Sequence, residues 1–237
     1  PQTCYVFAVS VDVQKRTDPP GSTDHLAESW DLKQRIQRAD GVLRQRRGFF
    51  TDAYRRSTTH LFVTDDDVVA DIGAGTGAIA LAVAPDADYV LARDVSEGMM
   101  EEGRRKASAA RITNVEFAYG RFREPNLTTP DDRPIDVVTS NFALHHLDDD
   151  EKREAIATMA ETGARRIVLG DVMFFAGPDP NEPFYSPDVD DPATVGTLVE
   201  AFTDEGFAVV DVERVHDQVG VIVAERLGDD DQPDGDL

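Results

Sequence analysis

Cysteine is almost absent from this 237-residue sequence: Cys4 stands alone, so no disulfide framework can hold the fold and a packed core must do so. A lone cysteine also fits a cytoplasmic protein. Lysine is scarce, with four residues, and tryptophan occurs once, as Trp30. No run approaches the ~20 apolar residues of a membrane span. CYVFAVSVDV near the start is too short and lacks the basic leader of a secretory signal. Positive charge is in deficit throughout, with 24 Lys and Arg against 46 Asp and Glu and a net charge of -22. Such a surface repels nucleic acid on average. With Asp far outnumbering Glu, this self-repulsion is of the kind that salt screens, which points to a halophilic protein in a salt-rich cytoplasm; the alternative is an ordinary acidic protein.

What is present suits one α/β domain with additions, since 41% of the residues are hydrophobic, enough for a sizeable core. The chain is organised around VVADIGAGTGAIAL, Val68 to Leu81. Its apolar start suits a covered parallel strand, and Ala78 to Ala84 favours helix until Pro85 stops it. Gly73, Ala74, Gly75 and Gly77 fill the turn between them, where glycine permits positive φ and lets a ligand approach the backbone beside unpaired helix N–H groups. Gly73, Gly75 and Ala78 also satisfy the GxGxxA form of a dinucleotide fingerprint. Asp71 and the third glycine extend the pattern to DxGxGxG. That extended pattern resembles the first motif of the class I S-adenosylmethionine-dependent methyltransferases. A carboxylate at the strand end opposes a pyrophosphate but suits ammonium and sulfonium charges.

Further segments carry the resemblance. DYVLARD reads as a second strand ending at Asp94, an acidic group able to accept both ribose hydroxyls of an adenosine cofactor, whether S-adenosylmethionine or NAD. Asp94, Val95, Ser96 and Met99 in DVSEGMM resemble the family's second motif, with Ser96 as a helix N-cap. NVEFAYGRF, 114–122, resembles the third strand and the turn beyond it, but Arg121 stands where family members often carry an acidic residue for the adenine amino group. Arg121 cannot accept that bond, so backbone groups and Phe122 would hold the adenine, or Arg121 is simply solvated. SNFALHHL follows a fourth strand at 135–140 and resembles the corresponding motif of small-molecule methyltransferases, including the quinone C-methyltransferases. It is not the NPPY type that grips a flipped base or a planar amide. The resemblance makes Asn141 a cofactor or substrate contact.

His145 and His146 are adjacent, so they are expected on different faces, with His145 the candidate catalytic base. No metal site is expected, because adjacent histidines lack the i, i+4 spacing of a shared helical site and no Cys or His cluster completes one. Asp148 and Glu151 form a capping-box pair. A fifth strand at 167–173 precedes a Pro- and Asp-rich loop, 176–192, expected to carry specificity. A helix at 193–203 and two alternating strands around Asp217, joined too tightly for a crossover, complete the chain as an antiparallel hairpin.

The expected fold is α/β, a doubly wound seven-stranded mixed sheet of the Rossmann-like methyltransferase type. Residues 1–23 read as a poorly anchored lead-in, 24–226 as the methyltransferase domain with 24–63 as a helical cover, and 227–237 as an acidic tail. The cover carries eight Lys or Arg and a net positive charge, opposite to the chain as a whole. In the resembling family such helices shape the substrate pocket, which makes Trp30, Tyr54, Arg55 and Arg56 substrate candidates. Alternatively the aromatics are core and the arginines pair with acidic neighbours. The implied activity is methyl transfer from S-adenosyl-L-methionine to a small molecule. An RNA or protein acceptor stays open on the basic patch, as does a non-catalytic adenosine-cofactor or NAD-binding protein. The charge excess generates a prediction: the melting temperature should rise from low to molar KCl as screening relieves carboxylate repulsion, and a salt-independent melt would remove the halophile reading.

Overall fold

A strand that buries every residue needs neighbours on both edges and a layer on each face, and β1 (Val68–Ile72) has them all. The computed structural model describes residues 48–177, 185 and 190–228, with residue 131 described by its backbone only. In chain order the elements are helix α1 (described over 48–61), β1, α2 (Ala78–Val83), β2 (Tyr89–Asp94), α3 (Glu97–Ala110) and β3 (Val115–Tyr119). Then follow β4 (Val137–Asn141), a 3-10 turn (Leu144–His146), α4 (Asp149–Glu161), β5 (Arg166–Val172), α5 (Val195–Asp204), β6 (Phe207–His216) and β7 (Val219–Arg226).

The strands lie in the order β3-β2-β1-β4-β5-β7-β6. The first five are parallel, and the β6–β7 hairpin enters antiparallel beside β5, as the tight connection implied. The fold is therefore the expected doubly wound mixed sheet. Strand order reverses at β1, between β2 and β4. In open α/β sheets the crevice beyond the carboxyl ends of such a pair is the place where ligands bind.

Alternation along β1 divides the core. Val68, Ala70 and Ile72 pack with Ala155, Ile156 and Met159 of α4 and with Leu198 and Phe202 of α5. Val69 faces the other layer, with Ile79 and Val83 of α2, Met100 of α3 and Leu61 of α1. Each fully buried large side chain contributes about 1.5–3 kcal/mol, so the two layers together hold the sheet without any covalent staple. Asp71, two positions from Val69, shares its face and so points toward α2. At α4 the capping box forms, with Glu151 N donating to Asp148 at 2.8 Å and Asp148 N to Glu151 at 3.3 Å.

The expected strands shift only at their ends. The third ends at Tyr119, followed by the expected turn, where Gly120 packs tightly: a Cβ there would lie 2.5 Å from the Pro125 carbonyl oxygen and 3.0 Å from Arg93. Arg93 itself is buried, its guanidinium donating to the carbonyls of Asn126 and Glu116 and to the Glu116 carboxylate at 2.6 Å. It ties the chain beyond β3 back onto β2. Of the expected cover over 24–63, the described part is α1, which buries Ala53, Ser57 and Leu61 at i, i+4 and i+8. The lead-in, Trp30, the tail from 229 and most of the loop 176–192 lie outside the described residues. Among the described residues no helix is long and apolar enough to cross a membrane.

Gly103 tests how tightly α3 sits on the sheet. Alanine should gain about 1 kcal/mol of helix propensity over glycine, but its Cβ would lie 2.4 Å from Cε1 of Phe117. Overpacking of this kind costs about 1–3 kcal/mol, so Gly103→Ala is expected to destabilise on balance in urea denaturation. A more stable variant would mean that Phe117 swings aside freely.

Candidate functional site

The carboxyl ends of β1, β2 and β4 meet at the glycine turn. Gly73, Gly75 and Gly77 have φ of 76°, 54° and 76°, the left-handed region that L side chains rarely enter. At Gly73 space forbids a side chain as well, whereas at Gly75 the flexible end of Met99 would have to move. A Cβ on Gly73 would sit 2.4 Å from Ala143 Cβ, and one on Gly75 would sit 2.9 Å from Met99 Cε. The turn is held from β2, whose Arg93 carbonyl accepts from the N–H groups of Gly73 and Ala74 at 2.8 and 2.9 Å.

Asp94 closes the arrangement. One carboxylate oxygen accepts from Gly75 N at 2.7 Å and the other from Ser96 N at 2.8 Å. A carboxylate offers about four lone-pair positions, so each oxygen retains acceptor capacity after these bonds. Asp71 is buried under the turn and accepts from Ala80 N of α2 at 3.1 Å. Burial pushes its carboxyl up to about 7, against the pull of the Ala80 N–H, and the nearby Asp94 charge adds to the rise.

Apolar groups rim the same edge. Val95 and Met99 are exposed, as is Tyr119, the register partner of Asp94 on β3. The sequence reading passed over Tyr119; its aromatic ring at a strand end was the available signal. Arg121 leans on Tyr119, its Nε donating to the phenol oxygen and its guanidinium 5.7 Å from the ring centroid. Phe122 packs partly into the α4-side core, and its Cζ lies 3.8 Å from the Cβ position of Gly73. Ser140 was also passed over, although it sits inside SNFALHHL. Its Oγ lies at the same 3.8 Å from that position and, among the described residues, is the buried side-chain polar atom with no hydrogen-bond partner.

Asn141 faces the other way. Its Oδ1 accepts from Ser57 of α1 at 2.7 Å and its Nδ2 donates to Thr139 at 3.0 Å, so its side chain joins α1 to the sheet. Phe142 follows with φ of 52°, a strained position for a bulky residue, flanked edge-on by Phe50 at 4.4 Å and Tyr54 at 5.3 Å. Tyr54 thus reaches the end of β4. Arg55 and Arg56 do not join this group: both pair with Asp52, at 2.7 and 2.9 Å, and Arg56 also pairs with Glu213 of β6 at 2.5 Å. The helix presents its arginines to carboxylates because Ala53, Ser57 and Leu61 take the sheet-facing positions.

The two histidines depart from expectation. They lie in a 3-10 turn and not in a strand, so their side chains are not opposed, and the rings approach to 4.1 Å between centroids. His145 is buried, and its Nδ1 lies 2.5 Å from Asp171 at the end of β5. Burial alone would lower the His145 pKa; Asp171, with Asp190 behind it, outweighs burial and raises it. The Asp171 carboxylate also accepts from the backbone N–H groups of Leu144, His145 and Val172, at 2.8, 3.2 and 2.7 Å. His146 Nδ1 lies 2.7 Å from Asp190. No sequence spacing links Asp171 or Asp190 to the histidines.

Residues 69–163 match the family model of a methyltransferase domain. An uncharacterized methyltransferase of Staphylococcus carnosus is 32% identical over 123 residues, covering 51% of this chain and 55% of that protein. A demethylmenaquinone methyltransferase of Clavibacter sepedonicus is 28% identical over 135 residues, covering 50% of this chain and 53% of that protein. The chain spans about half the length of the curated relatives it matches. The crystal structure of the YcgJ protein from Bacillus subtilis shares the fold, with a TM-score of 0.59 at 19% identity over 75% of this chain and 100% of that one. Residues 69–163, which hold the DxGxGxG turn and the strand-end Asp94, are thus similar to a methyltransferase domain, and the β3-β2-β1-β4-β5-β7-β6 sheet belongs to a fold shared with the YcgJ structure.

Proposed function

We propose that the chain transfers the methyl group of S-adenosyl-L-methionine to a small-molecule acceptor, releasing S-adenosylhomocysteine. The observation that carries this reading is the coupling of Asp94 to the glycine turn through Gly75 N, which brings an acceptor-rich carboxylate to a bare stretch of backbone. The residues fit the cofactor. Asp94 has lone pairs left for ribose hydroxyls, and Val95, Met99, Tyr119 and Phe122 supply apolar surface for a purine. Arg121 would lie beside the adenine through its contact with Tyr119, and the unpartnered hydroxyl of Ser140 faces the first glycine. Asp71 and Asp94 favour a cationic ligand there and disfavour the pyrophosphate of NAD.

The bound cofactor supplies a methyl group already activated by positive sulfur. The protein's task is then to align donor and acceptor and to exclude water. Gly73, Ala74, Gly75 and Gly77 fix the donor side, and Asn141 fixes α1 against the end of β4. Tyr54, with Phe50 and Phe142, would form the acceptor wall, which is aromatic and suits an apolar ring. The likeness to a protein named demethylmenaquinone methyltransferase supports a small-molecule acceptor. Arg55 and Arg56, committed to carboxylates, are assigned no acceptor role. Their pairing also weakens the case for RNA, since the net charge is -22. His145 takes no part as a base in this reading, because its Nε2 looks toward Asp190. A cytoplasmic location accords with the lone cysteine.

Calorimetry should show S-adenosylhomocysteine binding where NAD does not, and Asp94→Ala should weaken that binding at least about tenfold, the equivalent of about 1.4 kcal/mol. Tighter binding of NAD would overturn the reading, and an unchanged affinity in the variant would remove Asp94 from the ribose.

Asp71 adds a pH signature. Its carboxyl is held up to about 7, so it is largely protonated at pH 5.5 and ionised at 8.5. A sulfonium favours the ionised form, so the preference for S-adenosylmethionine over its neutral product should grow as pH rises through about 7. Asp71→Asn should flatten that dependence; a preference already flat in the native chain would separate Asp71 from the cationic group.

A further inference from the structure

We infer that His145, His146 and Asp190 form a site for one divalent transition-metal ion of the zinc type. Each offers one ligand atom, and these atoms lie within 4.8 Å of one another. His146 Nδ1 is 2.7 Å from Asp190 Oδ1, and His145 Nε2 is 4.0 Å from the same oxygen. Ligands around a tetrahedral ion with bonds of about 2.0–2.1 Å stand about 3.3 Å apart, so these two separations need change by only about 0.7 Å or less.

The surroundings favour a cation over a simple hydrogen-bonded cluster. Asp171 receives the Nδ1 edge of His145 at 2.5 Å, which turns the Nε2 lone pair toward His146 and Asp190. This carboxylate–histidine arrangement fixes the tautomer and raises the basicity of a metal-binding imidazole. Two neutral imidazoles with Asp190 and Asp171 carry a formal charge of about -2, matching a divalent ion, and imidazole donors select transition metals over magnesium or calcium. Among the described residues Lys152 is a nearby opposing charge, and its ammonium is turned to the Leu147 carbonyl at 2.6 Å and to Asp149 at 3.1 Å, with Asp191 at 4.0 Å. The cluster of His60, Asp211 and Glu213 is the rival, and there Arg56 already lies 2.5 Å from Glu213, an occupant that repels a second cation.

An ion here would fasten the chain at Asp190 to the turn after β4, where Asp191 N already donates to the His145 carbonyl at 2.8 Å. Three protein ligands leave a four-coordinate ion one open position. Closed structural sites use all four; sites that take water or a substrate atom keep one free.

The test uses the whole chain, stripped with chelator and titrated calorimetrically with Zn²⁺ in 1 M KCl, so that loose association with the acidic surface is screened. The expected result is one ion per chain, with Co²⁺ giving tetrahedral absorption bands in its place. His146→Ala and Asp190→Asn should each lower the affinity at least about tenfold while the metal-free melting temperature holds. His146 is 57% exposed, so its variant decides the matter if Asp190→Asn is unstable. His60→Ala should change nothing. Absence of saturable binding near one equivalent, binding that survives His146→Ala, or loss on His60→Ala instead would overturn the proposal.

Discussion

Aspartates at the ends of parallel strands hold this site together by capturing the backbone of the turns around them. Asp71 takes the N–H of Ala80, Asp94 those of Gly75 and Ser96, and Asp171 those of Leu144, His145 and Val172. The logic is common to all three: a carboxylate leaving water needs donors, and turns following parallel strands have N–H groups with no ladder partner. The two needs meet at one edge of the sheet. At Asp71, where Ala80 donates, burial keeps the proton on to about 7.

How much of this was legible in the sequence follows from the distance between partners. The β1 turn, Asp71 and Asp94 could be read because glycine spacing and strand ends fix them locally, and the hairpin could be read because a turn too short for a crossover permits only antiparallel pairing. Asp171 and Asp190 could not. They reach the histidines across 26 and 44 residues, and nothing in local spacing encodes that encounter. The 3-10 turn was invisible for a related reason: LHH carries no periodicity, and the assumption that neighbours diverge holds for an extended strand but not for three residues wound by Asp171. Ser140 escaped because a hydroxyl at a strand end is ordinary until its surroundings show no partner for it among the described residues.

The basic segment illustrates how composition misleads when read without partners. In a chain of net charge -22, a run of arginines looks like a binding patch. On α1, however, Arg56 bridges its own helix to β6 through Asp52 and Glu213, and His60 joins the same Glu213 at 2.8 Å. These contacts are partly exposed, and pairs of that kind contribute only about 0–1 kcal/mol each. Their effect is better seen as local neutralisation of an acidic sheet edge, which lets α1 lie against it and bring Ser57 to Asn141.

That neutralisation bears on acceptor choice. Once Ser57 fixes Asn141, the chain must leave β4 through Phe142 in the left-handed region, at a cost of about 1–3 kcal/mol. Phe50 and Tyr54 meet Phe142 edge-on and recover about 0.5–1.5 kcal/mol for each aromatic pair, so the strain and the aromatic wall stabilise one another. The same turn carries Ala143 against Gly73. Under the proposed function, an acceptor at this wall would be sorted by shape and not by charge, and the polar work would fall to the strand-end aspartates. β4 sends Ser140 toward the glycine turn and Asn141 toward α1, so the two ligands of the proposed reaction would meet opposite sides of one strand end.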